Sequence, residues 1–276
     1  IAMVVVVVIM AVSFVIPVSA ISDDEVAAPS AILMEPNTGK ILYEKNANEL
    51  RPCASITKVM TLLLVMEAID SGKISLDDQV TASAHAASMG GSDIWLKEGE
   101  TMSVNDLIKA TVIMSANDAA VVLAEHVYGT EDEFVKQMNI RAKQLGMNDT
   151  TFKNCNGLDE DGHLTTAHDV ALMSAELIKH EKIFDYTLTW MDYVRDGETQ
   201  LVNTNKLIRS YKGITGLKTG TTSQAGSCIS ATAKRDNLSL VAVVLGCSTT
   251  DERFTSASTL LDYGFANFSF ASLQMP

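Results

Sequence analysis

The chain has 276 residues, with 21 Lys and Arg against 34 Asp and Glu, and a formal net charge of −13. It has no basic stripe to follow phosphate backbones and no basic amphipathic stretch to hold it on anionic lipid, which argues against nucleic acid or a membrane surface as partner. The four cysteines, Cys53, Cys155, Cys228 and Cys247, form no C-x-x-C pair and the histidines no H-E-x-x-H, so a metal centre has little support and no cofactor is expected.

Residues Ile1 to Ala20 are uncharged, contain the run Val4 to Met10, and end Val18-Ser19-Ala20, a small-residue cleavage pattern. They read as a secretory signal peptide, with a retained anchor as the alternative, so the expected location is extracytoplasmic. No initiator Met or basic n-region precedes the run, and the true start is expected upstream. In an oxidising compartment the cysteines could pair in three ways. A chain with this much core needs no disulfides, which favours free buried thiols.

Residues 21–30, with Ser22-Asp23-Asp24-Glu25, read as a disordered segment. Ala31 to Met34, a turn at Pro36-Asn37-Thr38-Gly39 and Lys40 to Tyr43 predict a strand hairpin. The segment after Ser55, with Val59, Met60, Leu62 to Met66 and Ile69, predicts a helix apolar nearly all round and therefore buried. From Ser75 to about His180 the pattern is helical, with starts at Ser103, Thr130 and Thr166 and stops at Gly129 and Gly146. Asn154 to Leu164 reads as a long polar loop.

Strands return at Gly216–Thr221, Ser227–Ala233 and Leu238–Leu245. The run Leu240 to Leu245 is continuously apolar, which demands cover on both faces. One cover is a terminal helix from about Asp251 carrying Phe254, Leu260, Leu261 and Phe265. The expected fold is α/β of the α+β type: an antiparallel sheet made from both chain ends, covered by helices on both faces, with a helical lobe inserted at about 75–205.

Three short motifs carry the chemistry. Ser55-Ile56-Thr57-Lys58 puts a hydroxyl and an amine three residues apart on one helix face, about 5–6 Å between Cβ atoms. Ser115-Ala116-Asn117 falls in a tight connection between helices, and Lys218-Thr219-Gly220 lies in a strand interrupted by Gly213, Gly216 and Gly220, where another chain can approach closely. An S-x-x-K alone is weak, since a helix cap explains the serine. In this order the three describe a serine acyl-transfer site with lysine as base. Burial of Lys58, with Lys218 as a second cation nearby, would favour the neutral amine that a base requires.

On these residues the chain resembles the low-molecular-mass penicillin-binding proteins of the peptidase S11 type, serine D-alanyl-D-alanine carboxypeptidases with a β-lactamase/transpeptidase-like fold. The resemblance runs from about Ala31 to Phe268. It includes Arg51-Pro52-Cys53-Ala54, Asn117 to Ala120, Gly157-Leu158-Asp159 with His163 and Asp169, Asn203 to Leu207, and Leu261 to Phe265.

The resemblance implies that Ser55 attacks the penultimate D-alanine of a peptidoglycan stem peptide, with Lys58 as base and Ser115 as proton relay. It implies an oxyanion hole from the N–H groups of Ser55 and Thr221, a substrate amide held by Asn117, and a carboxylate held by Lys218, Thr219 and Arg253 beside Gly220. β-Lactam antibiotics are implied as acylating ligands. Ala116, Thr221 and Cys53 depart from the residues many relatives carry; Cys53 reads as an inert core thiol, or as a site whose oxidation blocks the pocket. Relatives usually continue beyond Pro276 into a β-rich domain and a membrane anchor, so any membrane attachment is expected from segments outside these residues, with 269–276 as the start of a linker. A β-lactamase and a non-catalytic penicillin sensor are the competing functions.

Overall fold

The computed structural model describes residues 21–269. The expected signal peptide and nearly all of the expected linker lie outside them. Two chain ends build one antiparallel five-stranded sheet. Strands β1 (Ser30–Glu35) and β2 (Lys40–Lys45) come from the first end, and β3 (Ile214–Thr222), β4 (Gly226–Arg235) and β5 (Leu238–Cys247) from the second, in the order β2-β1-β5-β4-β3. Ser30 pairs with Leu245 and Met34 with Val241, so the apolar β5 is central and β3 is an edge.

Alternation along β5 sends Val241, Val243 and Leu245 to one face and Leu240, Ala242 and Val244 to the other. The first face packs on a helix at Ala167–Leu177, which in turn packs on α1 (Lys58–Asp70) in the same core. The second packs on the terminal helix Thr250–Asn267 through Ala257, Leu260 and Leu261. A Thr249–Glu252 capping box starts that terminal helix.

Between the two sheet halves lies the lobe with α2 (Asn117–Tyr128) and α3 (Glu131–Gln144). Thr130 and Thr166 cap their helices by accepting from the N–H groups of Glu133 and Asp169. The lobe is less purely helical than its pattern predicts. It carries two short hairpins, Gln79–Thr81 with Thr101–Ser103 and Met191–Val194 with Thr199–Val202, and residues 88–100 form an irregular loop. Strands of three or four residues are too short for a period of two to stand out.

The expectation of disorder over 21–30 is not met: Asp23–Glu25 form a short helical turn capped by Ser22, and Ser30 already belongs to β1. Val26 and Ala28 are fully buried, and Nζ of Lys45 donates to the carbonyls of Asp23 and Val26. Two apolar side chains tucked under the sheet outweigh the polar composition around them.

Candidate active site

Ser55 sits in a tight helical turn, Ala54–Thr57, that runs directly into α1. Ala54 has φ +49°, a left-handed kink that brings the chain abruptly into the turn. Lys58 opens α1 with none of its surface exposed, among Val59, Met60 and Leu62. Its Nζ lies 3.1 Å from Oγ of Ser55, 2.5 Å from Oδ1 of Asn117 and 2.7 Å from the carbonyl oxygen of Asn156.

Two of those three partners can only accept. They take two hydrogens of the amine, and the direction left for a lone pair is the one toward Ser55, whose hydroxyl can donate along it. Burial pushes Lys58 down to about 7, while the carboxyl groups of Asp93 and Asp118 pull the other way. Near neutral pH the amine can therefore receive the proton of Ser55.

The second motif enters through α2. A wide helical turn, Ala110–Met114, ends at Ser115 with φ +66°, and α2 restarts at Asn117. Ser115 is 4 % exposed, and its Oγ has no hydrogen-bond partner among the described residues. A buried hydroxyl without a partner is costly unless an incoming group supplies one. Asn117 is held on three sides: Nδ2 donates to the carbonyl of Gly90 at 2.7 Å, its N–H to that of Ser92 at 2.6 Å, and Oδ1 accepts from Lys58.

The third motif lies on the edge strand β3. A Cβ on Gly220 would stand 2.8 Å from the amide nitrogen of Ser55 and from the carbonyl oxygen of Cys53, so only glycine lets β3 close against the turn. Gly157 does the same from the other side: with φ +88°, a Cβ there would fall 2.0 Å from the carbonyl oxygen of Ala54. Lys218 is 1 % exposed and donates to the carbonyl of Thr219 at 2.9 Å. Its own burial, then the charges of Lys58 and Arg253, hold it well below the usual lysine range.

Thr219 shares a 2.6 Å hydroxyl contact with Thr204. Arg253 is 6 % exposed, and its Nη1 donates to the carbonyl of Gly220 at 3.1 Å and to Oγ1 of Thr221 at 2.8 Å. The expected residues thus converge on one cleft between sheet and lobe.

Three backbone contributors escaped sequence reading, and two side chains that carry the resemblance, Asp118 and Asp159, gain a role only here. Asn156 acts through its backbone carbonyl, as do Gly90 and Ser92, and a carbonyl leaves no signature in residue type. Asp118 accepts from the N–H groups of Ile94 at 3.2 Å and Leu96 at 2.9 Å, curling the 90–96 loop beside Asn117. Asp159 ties the polar loop to the β3–β4 turn, accepting from Oγ1 of Thr222 at 2.6 Å. The Gly90-Gly91 pair was the one available signal that a backbone comes close there.

All four cysteines are free and buried. Burial pushes the thiol of Cys53 up to about 12, and Thr57, 3.5 Å from its sulfur, is in turn 2.8 Å from Nε2 of His163. That network braces the turn from behind and gives Cys53 the inert role.

This geometry has close counterparts. The chain is 50 % identical over 244 residues to D-alanyl-D-alanine carboxypeptidase DacF of Bacillus subtilis, covering 87 % of this chain and 63 % of that one. It therefore spans less than two thirds of that relative's length. Penicillin-binding protein D2 of Listeria monocytogenes, solved in its ampicillin-bound form, superposes with a TM-score of 0.80 at 36 % identity, over 87 % of this chain and 98 % of that one. Penicillin-binding protein 6B of Escherichia coli gives 0.85 at 35 %, over 90 % and 80 %. The family model described as D-alanyl-D-alanine carboxypeptidase, peptidase S11, matches residues 17–249. With the motifs gathered in one cleft and that match over most of its length, the chain belongs to the peptidase S11 family of D-alanyl-D-alanine carboxypeptidases.

Proposed function

We propose that the protein is a serine D-alanyl-D-alanine carboxypeptidase that acts outside the cytoplasmic membrane on peptidoglycan stem pentapeptides and is acylated by penicillins. The observation that carries this reading is the 3.1 Å approach of Lys58 Nζ to Ser55 Oγ with the lysine fully buried. Among the described residues no helix is long and apolar enough to cross a membrane.

In the first half-reaction Ser55 attacks the carbonyl of the penultimate D-alanine while Lys58 takes its proton. The oxyanion forms against the N–H groups of Ser55 and Thr221, donors of a kind worth roughly 10²–10³ in rate each. The C–N bond breaks as Ser115 passes a proton to the departing amine, and D-alanine leaves. Water then hydrolyses the ester on Ser55. Asn117 holds the amide on the acyl side, and Lys218, Thr219 and Arg253 hold the carboxylate, for which a guanidinium is a matched donor.

Pulse labelling with a fluorescent penicillin, followed by D-alanine release from a pentapeptide, tests the reading. Long-lived label with D-alanine release supports it. Label lost within seconds means a β-lactamase, and stable label without D-alanine means a sensor.

A further inference from the structure

The stretch Asn203 to Leu207 carries part of the resemblance yet has no share in the chemistry so far, and one of its residues reaches the third motif. Asn203 is fixed first: its N–H donates to the carbonyl of Trp190 and its Nδ2 to that of Thr189, both at 2.8 Å, while its Oδ1 accepts from the N–H of Asn205 at 2.9 Å. Between the two asparagines, Thr204 donates its N–H to the carbonyl of Ile113 at 3.1 Å, in the wide turn that ends at Ser115. Its Oγ1 lies 2.6 Å from Oγ1 of Thr219 on β3. Thr204 therefore joins the turn that carries Ser115 to the strand that carries Lys218 and Thr219.

Thr219 is 4 % exposed, and among the described residues neither of the two hydroxyls has another side-chain or backbone partner. Each has one hydrogen to give and can also accept. Left alone, the pair can point either way, one hydroxyl donating and the other keeping a free hydrogen. A carboxylate only accepts, so its arrival at Thr219 selects a single order: Thr204 donates to Thr219, and Thr219 donates outward. A hydroxyl that is itself accepting a hydrogen bond is polarised into a better donor.

We propose that Thr204 is a positioning residue for the substrate carboxylate and acts through Thr219: its hydroxyl fills an acceptor site of Thr219 and keeps that residue's hydrogen for the carboxylate. The inference rests on the carboxypeptidase reading, in which Thr219 touches the carboxylate. Thr204 itself need not touch substrate, and no bond forms or breaks there. Its contribution is therefore to KM and leaves kcat nearly unchanged, whereas a mere tie between lobe and sheet would move both together with the melting temperature.

The test measures D-alanine release from a pentapeptide by Thr204→Val, Thr204→Ser, Thr219→Val and the double variant Thr204→Val with Thr219→Val. Thr204→Val keeps the shape of the side chain and removes the hydroxyl. It is expected to raise KM about five- to tenfold with kcat within about twofold of the parent, and Thr204→Ser to restore most of the loss. Once Thr219→Val has removed the hydroxyl to be oriented, adding Thr204→Val should cost less than about twofold more. If Thr204→Val melts well below the parent, Thr204→Ala, which sets no methyl group against Thr219, takes its place with the same expectation. A KM equal to the parent's, or a loss that adds in full to that of Thr219→Val, would overturn the role of Thr204 and leave the carboxypeptidase reading standing. Absence of D-alanine release by the parent protein would overturn that reading and the inference with it.

Discussion

Nζ of Lys58 and Oγ of Ser55 approach to 3.1 Å at the start of one helix, and the amine's other two contacts, from Asn117 and Asn156, belong to different parts of the lobe. Neither residue forms this pair by helix geometry alone. The lobe's carbonyls hold the amine in place, and desolvation leaves it able to accept a proton.

A base near 7 sets the pH dependence of the first step. Acylation of Ser55 by penicillin should follow the neutral fraction of Lys58, falling about tenfold per pH unit below about 7 and levelling off above it. Lys58→Arg, which cannot become neutral, and Ser55→Ala should each lose roughly 10³-fold or more. Rapid-quench labelling from pH 5 to 9 measures this, and a flat profile would refute the assignment of the base.

The same burial costs stability with a definite sign. Between about 7 and the ordinary 10.5 an unfolded Lys58 carries a proton that the folded one lacks, so its contribution to stability rises with pH across that window. Lys58→Met should melt higher than the parent at pH 7, and its advantage should shrink by about 1.4 kcal/mol per pH unit toward pH 10. Urea midpoints of both proteins at three pH values give the slope.

Gly220→Ala probes the contact between β3 and the turn. The added Cβ would meet the Ser55 nitrogen and the Cys53 oxygen at 2.8 Å, both backbone atoms that cannot swing aside. A displacement on the order of 1 Å at a reacting group costs about 10² in rate. Acylation is therefore expected to drop about a hundredfold while circular dichroism remains that of the folded protein.

Arg253 bonds to Gly220 and Thr221 and stands beside Lys218. Arg253→Ala should lower kcat/KM for D-alanine release by about 10–100-fold, the size expected for a lost charged hydrogen bond, mostly through KM. Arg253→Lys should recover part of the loss, because the charge returns without the two-pronged geometry. Steady-state kinetics on a pentapeptide separates the two parameters.

Burial drives Cys228 up to about 11 and Cys53 and Cys247 up to about 12. Protonated and out of solvent, these thiols should not react with Ellman's reagent in the folded protein at pH 8, and all four should react once it unfolds. Fast modification of Cys53 without unfolding would revive it as an oxidation-sensitive site.

The sheet was legible because its evidence is local. The run Leu240 to Leu245 announces a strand covered twice, the turn at Pro36 to Gly39 announces a hairpin, and Phe254, Leu260 and Leu261 mark the cover. Ser55, Lys58, Ser115, Asn117 and Lys218 were likewise visible as residue types at set spacings. The short strands at Gln79–Thr81 and Thr101–Ser103 were not, because each buries one central side chain, Val80 or Met102, and one residue makes no period.

By itself the sequence determined the strands of the main sheet, the long helices and which side chains are available for acyl transfer, since periodicity and motif spacing are properties of neighbours along the chain. Only the tertiary structure decided that burial pulls Lys58 down toward neutral pH, that Gly220 and Gly157 clamp the Ser55 turn from two sides, and that Trp95 faces outward. Desolvation, steric closure and carbonyl placement join residues far apart along the chain, such as Lys58 with Asn156 and Gly220 with Ser55, and no local pattern encodes them.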